Sequence, residues 1–377
     1  MYWFLVAIIP LFLLWSVYVG IRLNGFLSLF LPAMNKKVFW IVYLIFPLLF
    51  MFSNFLPTSS FAKLITNFGY VCLGFLLYAF LFIVFADIIR LVLFIIRKLP
   101  KKGEQRRKLH FTAGVVGCVL IVTTVVGGFI NAKIIATTEY DIEIDKVFTE
   151  DKLRIVAVSD LHLGYQIGAA QIKRVVTAIN EQNPDVVVIV GDIFDGTIDK
   201  IFDLKRVQRL LSEIESRYGV YAVLGNHDRN PDEVEAFCAE SNITLLKDAT
   251  LLINNSFYLV GRNDRSPIGG SRDDRKALSV LMKDIDKTKP VIVLDHRPDV
   301  IDEPRENGAD LLISGHSHAG QVLPANFITK RVYLTDYGYA KYGDMKMIVT
   351  SGVGYWGPPL RVASKAEIAS IDINFAK

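Results

Sequence analysis

Four apolar runs fill most of the first 130 residues, and they constrain this chain more than any other feature. They cover about Tyr2–Val19, Val38–Phe55, Phe68–Ile96 and Phe111–Ile130. Each approaches the ~20 residues that a helix needs to cross a bilayer. A helix is what lipid demands, because it leaves no backbone N–H or C=O without a partner. One such run alone also reads as a buried core helix; four in series do not. The first run has no basic leading segment and no small-residue cleavage site, so it reads as an uncleaved span rather than a signal peptide.

The loops between the runs set an orientation. Arg97, Lys98, Lys101, Lys102, Arg106, Arg107 and Lys108 crowd residues 97–108, relieved only by Glu104. Arg22, Lys36 and Lys37 lie between the first two runs, and Lys63 alone between the second and third. Basic loops stay cytoplasmic. The first two runs therefore flank one cytoplasmic loop, the last two flank another, and everything after the fourth run is expected outside the cytoplasm. Beyond the 97–108 cluster the formal net charge of +4 leaves the chain nearly balanced, which argues against a nucleic-acid partner. Asp87 and Arg90, three apart in the third run, are placed to pair with each other on a helix. Of the three cysteines, Cys72 and Cys118 fall in apolar runs and Cys238 stands alone, so neither a thiolate metal site nor a disulfide framework is expected.

The pattern changes after Asn131. Residues 131–149 read as a connecting segment and 150–377 as a second domain. Strands are expected at Leu153–Ser159, Asp185–Val190, Val220–Leu224, Pro290–Leu294 and Asp310–Ser314, and helices at Ala169–Gln182, Ile201–Tyr218, Asp232–Ser241 and Asp274–Asp286. This alternation predicts an α/β domain with helices on both faces. Late strands near Met347–Ser351 and Glu367–Ile373, with no helix following, point to a β-sandwich flanked by helices.

What ends each strand matters most. The first runs into Asp160-Leu161-His162, the second into Gly191-Asp192-Ile193-Phe194-Asp195, and the third into Gly225-Asn226-His227-Asp228. The fourth runs into Asp295-His296 and the fifth into Gly315-His316-Ser317-His318. Ligands of open α/β folds bind at the carboxyl ends of the strands. Of the 6 histidines, all but His110 fall in these clusters, which packing alone does not explain. Imidazole nitrogen with carboxylate or amide oxygen, and no thiolate, suits Zn, Mn, Fe or Co. The donors are too many for one tetrahedral ion. Two ions sharing a carboxylate would use them all, and paired ions ~3.5–4 Å apart serve in-line displacement at phosphorus.

The ordered set Asp-x-His, Gly-Asp-x-x-Asp, Gly-Asn-His-Asp, a lone His and Gly-His-x-His, all between Asp160 and His318, resembles the calcineurin-like metallophosphoesterase family. Residues 159–164, 315–321 and 352–361 are similar to its bacterial membrane-associated branch, and the resemblance covers about residues 150–375. It implies that Asp160, His162, Asp192 and His318 hold one divalent ion, and that Asp192, Asn226, His296 and His316 hold the other, as Mn, Fe or Zn. It further implies a metal-bridging hydroxide as nucleophile, His227 as the general acid and Asp195 as the carboxylate that orients it. Asp295 departs from the Ser or Thr common before the lone His; it either adds charge near the second ion or points away into the sheet. Gly196 stands where the protein-phosphatase branch carries an arginine.

Arg361 reads equally as a donor to a substrate phosphate and as a structural arginine. Trp356 reads first as a core residue and second as lining for a lipid chain. The Gly-rich run Pro267–Gly270, among Asp264, Arg265, Arg272, Asp273 and Asp274, reads as a mobile surface loop. The expected function is hydrolysis of phosphate mono- or diesters beside a membrane, with a lipid-linked substrate and a soluble extracytoplasmic diester as the two candidates. The alternative is a membrane receptor or scaffold that keeps the fold without turnover; lost ligands would mark it, and none is lost.

Overall fold

The computed structural model describes residues 2–53, 55–100, 103–265 and 275–376. The Gly-rich run Pro267–Gly270, with Arg272, Asp273 and Asp274, lies outside the described residues, as do Lys101 and Lys102. Two units are present: Met1–Ile130 with Gly357–Leu360, and Asn131–Trp356 with Arg361–Lys377.

The first unit holds α1 (Tyr2–Leu27), α2 (Lys36–Ser53), α3 (Ser60–Ile95) and α4 (Glu104–Asn131). All four contain stretches long and apolar enough to cross a membrane. The first three share a core rich in aromatic rings: Phe12, Val19, Tyr43 and Leu76 are buried, with Trp15, Trp40, Phe50 and Phe80 packed around them. The Tyr43 hydroxyl donates to the Ser16 carbonyl at 2.6 Å. Ser59 caps α3 by accepting from the Ala62 N–H at 3.1 Å. Leu11, Ile41, Leu64 and Ile95 are each about two-thirds exposed. Large apolar faces of this extent suit lipid rather than water. Asp87 does not take Arg90 as its partner: the Arg22 guanidinium pairs with Asp87, and the Tyr18 hydroxyl donates to it at 2.6 Å. The local i,i+3 pairing gives way because Arg22 and Tyr18 on α1 approach the same carboxylate and satisfy it from another helix.

In the second unit the order is β1 (Ile135–Val147), β2 (Lys152–Val158), α5 (Ala169–Asn180), β3 (Val186–Val190), α6 (Leu204–Ser212), β4 (Val220–Val223), α7 (Pro231–Ala239), β5 (Ile243–Leu245), β6 (Ala249–Ile253) and β7 (Phe257–Gly261). Then come α8 (Leu278–Leu281), β8 (Val291–Leu294), α9 (Asp302–Glu306), β9 (Leu311–Ser314), α10 (Ala325–Val332), β10 (Gly338–Tyr342), β11 (Met345–Val349) and β12 (Ala366–Ala376). They form two 6-stranded sheets, β1-β12-β2-β3-β4-β5 and β10-β11-β9-β8-β7-β6. Residues 135–147, read from sequence as part of a connection, are thus an outer strand, parallel to β12. The helix expected at 274–286 is reduced to the four residues of α8, and the one at 201–218 to the nine of α6.

Side-chain alternation sorts the strands into layers. Ile155, Ala157, Val186 and Val188 point inward to meet Leu259, Ile292, Leu294, Leu311 and Ile313 from the other sheet. Val156, Val158, Val187 and Ile189 point outward, under Ile172 and Val175 of α5, Val207 of α6 and Phe237 of α7. Val291, Val293, Leu312 and Met347 cover the outside of the second sheet beneath Leu278 and Met282. Strand β3 reads Val-Val-Val-Ile-Val and is buried throughout, as a central strand covered on both faces must be.

The register of β12 on β2 places Asp372 opposite Arg154. Arg154 donates to both carboxylate oxygens, at 2.7 and 3.0 Å, and Lys152 adds a contact at 2.6 Å. The hydrogen bond from Arg154, against partial burial, holds the Asp372 carboxyl below its ordinary value. A depressed folded value contributes stability that is present above the unfolded value, near 4, and is lost as pH falls through the folded one. Arg154 is partly solvated, so the pair is worth only about 1 kcal/mol. Asp372→Ala is expected to lower the melting temperature by about 2–4 °C at neutral pH, with the difference shrinking in acid; an equal difference at pH 7 and in acid would refute this account.

Candidate metal centre

The clustered side chains sit on loops that leave five strands from the same end. Asp160 and His162 follow β2, Asp192 and Asp195 follow β3, and Asn226 and His227 follow β4. His296 follows β8, and His316 and His318 follow β9, so both sheets contribute. The loops are stitched by main-chain bonds beyond the sheets. The N–H groups of Asp160, His162 and Leu163 donate to the carbonyls of Gly191, Asp192 and Ile193 at 2.9–3.0 Å. The Gly315 N–H donates to the His296 carbonyl at 2.9 Å, and the His316 N–H reaches across to Asp160 Oδ2 at 3.1 Å.

This convergence carries backbone strain. Asp160, His162, Asp192, His316 and His318 all lie in the left-handed region, with φ between 46° and 69°. Each such residue costs of order 1 kcal/mol, and strain persists where a surrounding structure demands a special geometry. Gly191, at φ 79°, is a glycine for two reasons: its conformation, and the His296 ring, whose Nδ1 would lie 2.6 Å from any Cβ.

Three groups of side chains are each close enough to hold a metal ion: Asp160, His162 and His318; Asp192, His296 and His316; and His162, Asp192 and His227. In the first, His318 Nε2 lies 3.2 Å from His162 Nε2 and 3.4 Å from Asp160 Oδ1. In the second, His296 Nε2 lies 3.2 Å from Asp192 Oδ2. Asp192 Oδ2 is also 3.7 Å from His162 Nε2, so this carboxylate faces both groups. Asn226 is buried beside them.

Metal ions fit these donors on two counts. Asp160 Oδ1, Asn226 Oδ1 and His296 Nε2 are buried without a hydrogen-bond partner, an expensive state for polar atoms unless a cation completes them. His296 also presents Nδ1 to the Val190 carbonyl at 2.8 Å, which fixes the N–H there and leaves Nε2 with a free lone pair for a metal.

Electrostatics agree. Burial, with Asp192 opposing, lowers His162; burial, reinforced by the neighbouring imidazole of His296, pushes His316 down to about 3; burial and His162 lower His318 as well. All three imidazoles are thereby held neutral, the form that ligates metal. Burial opposes ionisation of the Asp192–His296 pair, but mutual attraction wins: Asp192 falls well below the ordinary carboxylate range and His296 rises to about 10. A divalent ion at His296 Nε2 would take the place of a proton there.

His227 and Asp195 form a separate pair, with His227 Nδ1 3.4 Å from Asp195 Oδ1. Burial works against charge on both, yet their contact raises His227 and lowers Asp195. The His227 ring lies 4.8 Å from that of His162, and its main-chain N–H donates to Asp192 Oδ1 at 2.8 Å.

Four residues take roles that sequence reasoning left open or missed. Asp228 accepts from the N–H groups of Ile193, Phe194 and Gly225 at 3.2, 2.9 and 2.8 Å, tying the β3 and β4 loops together. Its signal was its place directly after His227 in a strand-end cluster. Asp295 points away from the donors, to Arg275 at 2.5 Å and Arg262 at 3.4 Å. Arg361 is buried and donates to the carbonyls of Gly354, Ser351, Gly352 and Lys365, so its guanidinium braces the loop behind His318. Trp356 is not a core residue: it is 57% exposed, and its ring centroid lies 6.2 Å from that of His227. A cavity of about 570 Å³ bordered by Ala319, Asn326, Lys330, Asp336 and Lys365 has none of the clustered donors in its lining.

The chain is similar to known proteins. Residues 153–320 match the family described as Calcineurin-like phosphoesterase. A transmembrane protein with metallophosphoesterase domain from Danio rerio is 30% identical over 71% of this chain, which spans 64% of that protein's length. An uncharacterised metallophosphoesterase of Campylobacter jejuni is 31% identical, covering 77% of each chain. A solved dimetal phosphatase from Danio rerio aligns with a TM-score of 0.40 at 15% identity, over 62% of this chain and 100% of that one. The extent of the match to the Campylobacter protein, with every strand-end element in order, shows that the chain belongs to the calcineurin-like metallophosphoesterase family.

Proposed function

We propose that this chain is a membrane-anchored, metal-dependent phosphoesterase that hydrolyses phosphate mono- or diesters on the extracytoplasmic side of a bilayer. The observation that carries the reading is Asp192, a buried carboxylate that groups with His296 and His316 and also lies 3.7 Å from His162, among side chains close enough to hold metal ions. Asp160, His162, Asp192 and His318 would hold one divalent transition-metal ion, and Asp192, Asn226, His296 and His316 the other. When bound, such a pair supplies Lewis-acid stabilisation of phosphoryl charge and lowers the pKa of water at the site.

The chain's own residues do the rest. The left-handed backbone at the donors presents them without waiting for substrate. His227 turns Nδ1 to Asp195, so Nε2 is the nitrogen left to hold a proton for the leaving oxygen. Asp195 favours the charged form of that imidazole and fixes its plane. The basic loops around the first two and last two spans support the extracytoplasmic side. The four apolar helices, and the transmembrane relative, support anchoring of residues 1–130, with the catalytic domain beginning near Asn131. Confinement to a surface favours a lipid-linked phosphoester over a soluble one.

The test is hydrolysis of p-nitrophenyl phosphate and bis-p-nitrophenyl phosphate by the full-length protein in nanodiscs with added Mn²⁺. Turnover is expected, to be abolished by EDTA and restored by Mn²⁺. A protein that binds two ions per chain and cleaves neither ester would favour the silent receptor or scaffold instead.

A further inference from the structure

The stretch following the last histidine cluster exposes an apolar surface that the fold leaves uncovered. Helix α10 has no buried residue. Phe327, Ile328 and Val332 are 63%, 63% and 65% exposed, and Leu334 just beyond is 82% exposed. At helical spacing Ile328 and Val332 stack on one side, Phe327 lies about 100° round from Ile328, and Arg331 projects between Phe327 and Ile328. Thr329 turns the other way and donates to Asp336 at 2.7 Å, so the inward side is polar and tied down. Lys330 and Arg331 are exposed on the same turn, and no acidic residue occurs between Gln321 and Thr335.

This segment is coupled to the candidate centre. The Tyr333 ring lies 6.2 Å from that of His316. Gln321, just before the segment, accepts from the Trp356 N–H at 2.9 Å and donates to the Trp356 carbonyl at 2.8 Å. Trp356 in turn neighbours His227. One aromatic ring beside each half of the centre thus leads outward to the exposed face.

We infer that residues 323–334 are a membrane-docking element: α10 lies in the headgroup layer of an anionic leaflet, with Phe327, Ile328, Val332 and Leu334 in the acyl boundary and Lys330 and Arg331 on lipid phosphates. A short helix whose outward side mixes apolar and basic residues lies in an interface rather than across it, the Lys and Arg heads reaching the headgroups while their stems lie along the apolar surface. Its occupant is lipid rather than another protein for two reasons. The flanking charge is purely basic, complementary to an anionic leaflet. The same chain carries four helices suited to a bilayer. The inference rests on the phosphoesterase reading and sharpens it, since a docked α10 holds Tyr333 and Trp356 where a lipid-borne phosphoester would enter.

The test is hydrogen exchange of peptides covering 323–334 in the full-length protein. It is placed in phosphatidylcholine nanodiscs with and without phosphatidylglycerol, and in amphipol. Docking is expected to slow exchange about tenfold in the anionic nanodiscs relative to amphipol. The slowing should vanish in Phe327→Ser/Ile328→Ser/Val332→Ser and weaken in Lys330→Glu/Arg331→Glu, all at exposed positions outside the centre. Equal protection in amphipol would assign the face to a second copy or another protein contact and overturn the proposal, as would no protection anywhere. Turnover of bis-p-nitrophenyl phosphate in the same samples separates the two readings. Turnover without protection defeats docking alone; protection without turnover defeats the phosphoesterase reading alone.

Discussion

His227→Ala is expected to lose about 10²- to 10⁴-fold in turnover of an alkyl phosphoester while keeping both metal ions. The size follows from the proposed role. An alkoxide is a poor leaving group and needs a proton as the P–O bond breaks; p-nitrophenolate leaves readily without one. The loss should therefore be far smaller on p-nitrophenyl esters. His227 also belongs to one of the three donor groups, with His162 and Asp192, so metal content decides between acid and ligand. Elemental analysis showing two ions per chain, with a loss that grows with leaving-group basicity, fits proton donation. A fall to one ion would make His227 a ligand. An equal loss on both ester types would leave it a positioning residue.

Asp192→Asn should be more severe. The amide keeps the shape of the side chain, tolerates the left-handed backbone at φ 52°, and can still accept the His227 N–H. What disappears is the charge that both donor groups face, and with it the counter-ion of buried His296. Metal content is expected to drop below two ions per chain, and turnover to fall by more than about 10³-fold, matching the loss of several kcal/mol of charge stabilisation. His318→Ala, which touches one group alone, should retain the other ion. Two ions bound to Asp192→Asn at wild-type affinity would remove Asp192 from the centre of the scheme.

Much of this was legible because two simple periodicities carry it. The four spans announce themselves by apolar length, and β2, β3, β4, β8 and β9 by β-branched runs that stop at polar clusters. Converging donors could be expected because strand ends converge. What escaped depends on distant partners. Strand β1 alternates exposed and less exposed residues from Thr137 onward, but its partner β12 lies at the other end of the domain. The pairing of Asp87 with Arg22 required knowing which helices touch. The bracing by Asp228 and Arg361 is made to main-chain groups, whose positions no side-chain pattern reports. The helix expected near 274–286 shrank to α8 although Leu278, Leu281, Met282 and Ile285 keep helical spacing and pack on one cluster.

The place of β12 has a consequence for how the protein is made. It lies between β1 and β2, parallel to one and antiparallel to the other. Strand β1 emerges from the ribosome soon after the last apolar helix, yet its neighbour in the sheet is the last strand to be synthesised. At ~5–20 residues per second the interval is roughly 10–40 s. During that time the spans can already be inserted while the edge of β2 stands open, a template for any passing strand. Biogenesis of this enzyme therefore has a waiting step whose length is set by translation. Slowing the ribosome, or delaying release of residues 366–376, should raise the aggregated fraction without touching a single contact of the finished fold.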